Sequence, residues 1–201
     1  AGLRKADLAN LEVAWSIATP GQSGGAGASV LSDGTIIIAL GQQLLALDAG
    51  TGCAKWTYAG STRSTPAIGE IDGRKVVALA IGSDVHVLET STGAQVWKAS
   101  WQPVKGAGGH VRGGVIFANN KIIVPVSSSG STSGSKPDFE CCTGHGAVVA
   151  LNAADGKHVW EYHTKPDAQY NGQVNSLGVK QKGPSGAAIW SYGVGAIAAQ
   201  C

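Results

Sequence analysis

Leu45-Ala46-Leu47-Asp48-Ala49-Gly50-Thr51-Gly52, followed by Trp56, decides the fold, because near-copies of it recur along the chain. Ala150-Leu151-Asn152-Ala153-Ala154-Asp155-Gly156 leads to Trp160, and Val87-Leu88-Glu89-Thr90-Ser91-Thr92-Gly93 leads to Trp97, with the same four-residue step from Gly to Trp. With Trp15 ahead of them, the tryptophans follow one another at steps of 41, 41 and 63 residues. A self-similar period of roughly 40 residues marks a propeller or a helical array. Here the unit is strand-like, short apolar runs between Gly- or Asp-rich turns, so the array is a β-propeller.

The fold class expected is therefore all-β, with one partial propeller domain over residues 1–201. Each unit divides into four strands. The blades are expected at residues 27–59, 65–100 and 111–164, with the next blade opening at 186–198. A lone outer strand, Leu11–Ile17, precedes them and one inner strand, Ala187–Val194, follows. Three whole blades with a half-blade at each end cannot close a ring, since propellers use roughly four to eight. The chain is expected to be a segment of a longer protein or a half-ring that associates with a partner.

Thr35-Ile36-Ile37-Ile38-Ala39-Leu40 and Lys75-Val76-Val77-Ala78-Leu79-Ala80-Ile81 are apolar without alternation, as befits strands buried on both faces between neighbouring blades. The Trp of each unit is the natural plug between blades, because an indole buries a large apolar area while its N–H needs one acceptor. Trp15, Trp56, Trp97 and Trp160 are thus read as blade-docking residues, each contributing on the order of 3–5 kcal/mol. The 63-residue step comes from an insertion, Ser127 to Gly146. Loops longer than about 12–15 residues are usually functional or disordered, so the chemistry is sought there.

Composition removes several function classes. Only 14% of the residues are charged and the net charge is +2, with no like-charge block to bind nucleic acid. No apolar run approaches the roughly 18 residues of a membrane span. Neither an initiator Met nor a signal peptide is visible, which leads us to expect a processed chain or a fragment. Cys53, Cys141, Cys142 and Cys201 lack zinc or haem-attachment spacing, and the adjacent Cys141-Cys142 favours an oxidising compartment. His86, His110, His145, His158 and His163 show no metal-ligand spacing, and His158 and His163 read as solvent-facing strand residues. The Ser-rich run Ser127–Ser135 holds no nucleophile elbow, and Gly106-Ala107-Gly108-Gly109 lacks the strand-then-helix setting of a phosphate loop.

The docking stretch from Leu45 to Trp56 resembles the tryptophan-docking motif of quinoprotein alcohol dehydrogenases, eight-bladed propellers that hold pyrroloquinoline quinone (PQQ) and a calcium ion. Within that family the chain is most similar to polyvinyl-alcohol dehydrogenases. Ala1-Gly2-Leu3 through Leu11-Glu12-Val13-Ala14-Trp15, Val124-Pro125-Val126-Ser127-Ser128, Phe139-Glu140-Cys141-Cys142-Thr143 and Gly183-Pro184-Ser185-Gly186-Ala187-Ala188-Ile189-Trp190-Ser191 carry the likeness. The resemblance implies that Trp190, beside Gly186, forms the floor under the quinone, or else is another inter-blade plug. It implies that Glu140 reaches the calcium, or else is an exposed loop acid. Cys141 and Cys142 would form a vicinal disulfide over the cofactor, or stay free, or pair with Cys53 or a cysteine elsewhere.

Where the family shows an aromatic-Arg-Gly step after Cys-Cys-Thr, this chain reads Gly144-His145-Gly146. The resemblance implies a cofactor-facing position for His145, which lacks the fork geometry of Arg. Arg112 stands where the family tends to have Thr, and is the candidate substitute cation. The implied function is oxidation of polyvinyl alcohol or related secondary alcohols by PQQ and calcium, with electrons passed to a cytochrome c, in the periplasm or outside the cell. The family's catalytic Asp base would lie beyond this chain, so the segment alone is expected not to turn over. The rival is a non-enzymatic propeller scaffold of the outer-membrane assembly type, which binds partners through blade edges and needs no quinone.

Overall fold

A computed structural model of the chain describes residues 2, 4–18, 25–30, 33–40, 42–60, 62, 64–102, 109–111, 113–128, 138 and 145–183. Among the described residues a short 3₁₀ helix, Lys5–Asn10, is followed by fifteen strands. The first sheet is β1 (Gly25–Val30), β2 (Thr35–Leu40), β3 (Gln43–Asp48) and β4 (Ala54–Ala59), and the second is β5 (Ala67–Ile71), β6 (Arg74–Ile81), β7 (Asp84–Glu89) and β8 (Gln95–Ser100). Both are antiparallel meanders in which strands pair in chain order. The third sheet runs β10 (Ile116–Ala118), β11 (Lys121–Ser128), β12 (Ala147–Asn152) and β13 (His158–His163), with β9 (Gly109–His110) pairing the far end of β11. The three sheets span Gly25–Ala59, Ala67–Ser100 and Gly109–His163 and are called the first, second and third blades below.

Three features depart from the sequence reading. The first strand of the third blade is broken into β9 and β10. A side chain at Gly109 would collide with the Ser127 carbonyl, so this approach of backbone to backbone requires glycine. A two-stranded hairpin, β14 (Gln169–Val174) with β15 (Lys180–Gly183), follows the third blade and was not anticipated. Its sequence is polar and mostly exposed, so it carries no apolar period to betray it. At the N-terminus, residues 11–18 pair with no strand among the described residues, although Trp15 still docks as an outer-strand tryptophan would. The strand expected at Ala187–Val194 lies outside the described residues.

Packing between sheets explains the unbroken apolar runs. Val77 and Leu79 of β6 join Ile37, Ala39, Leu44 and Ala46 of the first blade in one buried cluster. The alternate residues Val76, Ala78 and Ala80 join Val124, Val126, Val149 and Leu151 of the third blade in another. A strand with a neighbour on each face has no solvent side, so period-two alternation of polarity disappears. The hairpin between β10 and β11 turns on Asn119 and Asn120, both at positive φ (48° and 57°), a conformation Asn tolerates better than most residues.

The tryptophans then lock blade to blade in one repeated geometry. Trp15 Nε1 donates to the Ala49 carbonyl at 2.8 Å, Trp56 Nε1 to Thr90 at 2.9 Å, and Trp97 Nε1 to Ala153 at 2.9 Å. Each acceptor opens a turn that closes with Gly52, Gly93 or Gly156 at φ of +72°, +73° and +73°. In each turn the glycine N–H donates back to the residue four earlier, at 2.8–2.9 Å. A Cβ on Gly52, Gly93 or Gly156 would fall within 2.6–2.8 Å of the docked ring. The glycine is required twice over, by the left-handed backbone and by the indole lying on it. Trp160 occupies the same position on β13 yet is 40% exposed, on the face of the third blade that turns away from the second.

Gly73 offers a control, since it has φ +75° but nothing within 4 Å of a built Cβ. Gly73→Ala should therefore cost only the backbone strain, about 1–3 kcal/mol. Gly93→Ala should cost about 1–3 kcal/mol more, because the methyl also displaces Trp56. Urea unfolding of the two variants checks this, and equal midpoints would mean that the indole is not tightly seated.

Candidate functional site

Of the residues singled out by sequence for cofactor or metal, Arg112, Glu140, Cys141, Cys142, Gly186 and Trp190 lie outside the described residues. His145 is described, and it is the centre of a site. It sits just ahead of β12, at the end of the third blade opposite the docking turn. Only 1% of its surface is exposed. Its Nε2 lies 2.8 Å from His163 Nδ1, with the two rings 5.1 Å apart and tilted by 57°. His163 Nε2 lies 2.9 Å from Glu161 Oε1, and Glu161 Oε2 lies 3.2 Å from His158 Nε2.

The strand register builds this chain of contacts. Ala147 pairs with His163 and Val149 with Glu161, so His163 and Glu161 share the β12 face that packs toward the second blade. In β13 an extra residue is accommodated between the pairs Ala150–Trp160 and Leu151–His158. That bulge shifts the alternation and brings His158 to the same carboxylate as His163. The reading of His158 and His163 as plain solvent-facing residues is thereby corrected for His163, which is partly buried and bonded on both nitrogens. His145 and His163 stand 18 residues apart, and only the register brings them together. A signal was available: aligning the docking turns fixes Trp160 opposite Ala150, and counting back along both strands leads to this pair.

For neutral imidazoles the chain of hydrogen bonds assigns the protons. An ionised carboxylate only accepts, so Glu161 takes the His163 Nε2–H. Where both rings are neutral, His163 presents a bare Nδ1 and His145 donates its Nε2–H to it. His145 Nδ1 is left as a lone pair, buried and without a hydrogen-bond partner among the described residues.

Elsewhere the polar contacts are structural. Tyr58 of the first blade donates its hydroxyl to Gln95 Oε1 at 2.7 Å and lies 2.8 Å from His86 Nδ1, so His86 carries its proton on Nδ1 and donates it to Tyr58. Burial, followed by the nearby Lys98 ammonium, holds His86 below its ordinary value against the opposing pull of Asp84, while burial raises Tyr58. Trp101, which stands outside the repeat phase and escaped the sequence reading, is fully buried and donates to the Gly82 carbonyl at 3.0 Å. Cys53 is an exposed free thiol. No group of three or more His, Cys, Asp or Glu side chains among the described residues is arranged to hold a metal. No helix among them is long and apolar enough to cross a membrane, which says nothing of β-barrels.

Comparison with known proteins agrees with the blade geometry. The PQQ_2 family model, described as outer membrane protein assembly factor BamB, matches residues 3–187. The chain belongs to the PQQ_2 repeat family. It is 34% identical over 194 residues to a polyvinylalcohol dehydrogenase of Sphingopyxis sp. (strain 113P3), covering 92% of this chain and 29% of that protein. It is 32% identical over 197 residues to a polyvinylalcohol dehydrogenase of Pseudomonas sp, covering 94% of this chain and 30% of that protein. The chain thus spans less than a third of the length of these curated relatives. Among solved structures, a europium-containing methanol dehydrogenase superposes with a TM-score of 0.60 at 19% identity, over 82% of this chain and 29% of that one. At that identity the likeness shows the fold alone. It is the fold of the quinoprotein propellers expected from the docking motif.

The His86 shift gives a pH dependence with a definite sign. The folded protein binds the His86 proton less readily than the unfolded chain, so stability rises with pH where the unfolded chain holds that proton. Stability should be fully present above the ordinary His value of 6.5 and should fall as pH drops through it. His86→Leu, which copies Leu45 at the equivalent position of the first blade, should flatten that fall in a series of thermal melts. An unchanged slope would mean that another group titrates.

Proposed function

We propose that this chain is a three-blade segment of a PQQ- and calcium-dependent alcohol dehydrogenase acting on polyvinyl alcohol or related secondary alcohols. Its electrons pass to a cytochrome c, and the enzyme works in the periplasm or outside the cell. The observation that carries this reading is the identity of 34% and 32% to two polyvinylalcohol dehydrogenases over nearly the whole chain, on a blade array of the quinoprotein type. In this reading Trp190, Gly186, Cys141 and Cys142 would hold the quinone, and Arg112 would supply the cation that the family's Arg provides. Glu140 is the metal carboxylate, because calcium takes oxygen ligands. The described residues do not themselves assemble a metal site, so no step of the reaction is drawn through the ion.

When bound, the quinone supplies the two-electron acceptor for the alcohol carbon. The chain's own part is mechanical and orienting. Indole-locked blades form a stiff wall, and the insertion of the third blade is presented from that wall at the His145 end. The remaining blades, or a second half-ring, complete the site. A second reading draws on the description of the matching family model: a propeller scaffold for outer-membrane assembly. Under it no quinone binds, and the blade edges engage partner proteins.

Titration of the full-length natural protein with PQQ and calcium separates the two. A shift in quinone absorbance with thermal stabilisation is expected, about 2.7 kcal/mol at a hundredfold excess over Kd. A folded protein that shows neither at saturating quinone is the scaffold. The 201-residue chain alone should show no alcohol-dependent dye reduction.

A further inference from the structure

The resemblance expects a cation-like donor at the position of His145, facing oxygens of the quinone. The geometry points to a different role: His145 is a hydroxyl-recognition residue, its Nδ1 an acceptor fixed in place by His163 and Glu161. A buried polar atom without a partner costs about 1–3 kcal/mol, so the fold keeps this lone pair only if something pairs with it. Its ligand must bring a proton. Quinone and carboxylate oxygens are acceptors and would be repelled by the lone pair. The cation of the alcohol dehydrogenase reading is calcium, which takes oxygen ligands and not an imidazole nitrogen. A neutral hydroxyl fits, since it donates one hydrogen bond and carries no charge into a site that is almost fully buried.

The positioning shell is what makes this more than a core histidine. With the rings neutral, Glu161 accepts from His163 across 2.9 Å and His163 accepts from His145 across 2.8 Å. Each link removes one tautomeric choice, as a carboxylate behind a ligating imidazole does in metal sites. Removing the carboxylate leaves every ring in place but lets the protons redistribute. In the alcohol dehydrogenase reading, on which the identity of the ligand rests, the hydroxyl belongs to the alcohol substrate and not to the cofactor. His163 and Glu161 are then positioning residues for substrate binding.

Nitrogen chemical shifts of isotope-labelled histidine in the chain test this at alkaline pH, where the rings are neutral. His145 should show a protonated Nε2 and a bare Nδ1, and Glu161→Gln should convert that pattern to an average of both tautomers. Adding pentane-2,4-diol, whose hydroxyls are spaced like neighbouring ones of polyvinyl alcohol, should move the Nδ1 signal. His145→Asn, whose Oδ1 replaces the acceptor, should retain diol affinity as read from the Gly146 amide. His145→Phe should weaken it about three- to tenfold, the equivalent of one neutral hydrogen bond. A proton on Nδ1, or an unchanged pattern in Glu161→Gln, overturns the assignment. So does an Nδ1 signal that ignores the diol, which would leave a buried water as its partner. Neither quinone nor metal is added, so a protein that fails to bind PQQ leaves this result intact.

Discussion

One contact recurs three times and everything else is arranged around it: an indole N–H on the first carbonyl of a turn in the next blade, with the ring lying on that turn's glycine. The contact couples a local constraint to a global one. Positive φ at Gly52, Gly93 and Gly156 is a property of the turn alone, but the bare Cα face it exposes is what the neighbouring blade packs against. The hydrogen bond sets the height of the ring and the glycine sets its depth. Blades joined in this way have little freedom to slide, which is the property a wall around a site must have. The β-bulge just before each tryptophan pair recurs in all three blades, and aims the indole out of the pleat toward the next sheet.

That coupling is also why so much of the fold was legible. A feature that must serve two blades at once cannot drift, so Asp48-to-Trp56, Glu89-to-Trp97 and Asn152-to-Trp160 keep their spacing while the residues between them change. From that spacing came the four-stranded unit and its stacking, which explains the absence of alternation in β2 and β6. The hairpin β14–β15 was not legible because its stability comes from turn hydrogen bonds around Asn175 and not from an apolar period. The broken first strand of the third blade was hidden for a similar reason, since it depends on Gly109 passing against the Ser127 backbone.

The site was only half legible. His145 drew notice because it stands where a resemblance expects Arg, and its environment could not be read from its own neighbours in sequence. Its partners lie across a strand pair, and that pairing is fixed by the docking turn at the other end of the blade. His158, Glu161 and His163 look like ordinary outer-strand residues because an alternation rule assigns two of them to one face and the third to the other. The bulge breaks that rule in a way no polarity pattern records.

Trp160 and Glu161 make the connection between the two ends of the blade concrete. They are adjacent on β13 and point to opposite faces. Trp160 turns toward whatever neighbours the third blade, while Glu161 turns toward the second blade and holds His163. The unshifted pairs Ala147–His163, Val148–Tyr162 and Val149–Glu161 hold this end of β13 against β12, and so keep the carboxylate beside the imidazole. In the first and second blades the residues corresponding to Glu161 are Thr57 and Lys98, and the loop at that end is short. Only where the loop has grown does the outer strand carry a carboxylate and two histidines. The docking end repeats because it must fit a neighbour of the same design. The opposite end is released from that requirement, and there the third blade has built polar machinery that the other two lack.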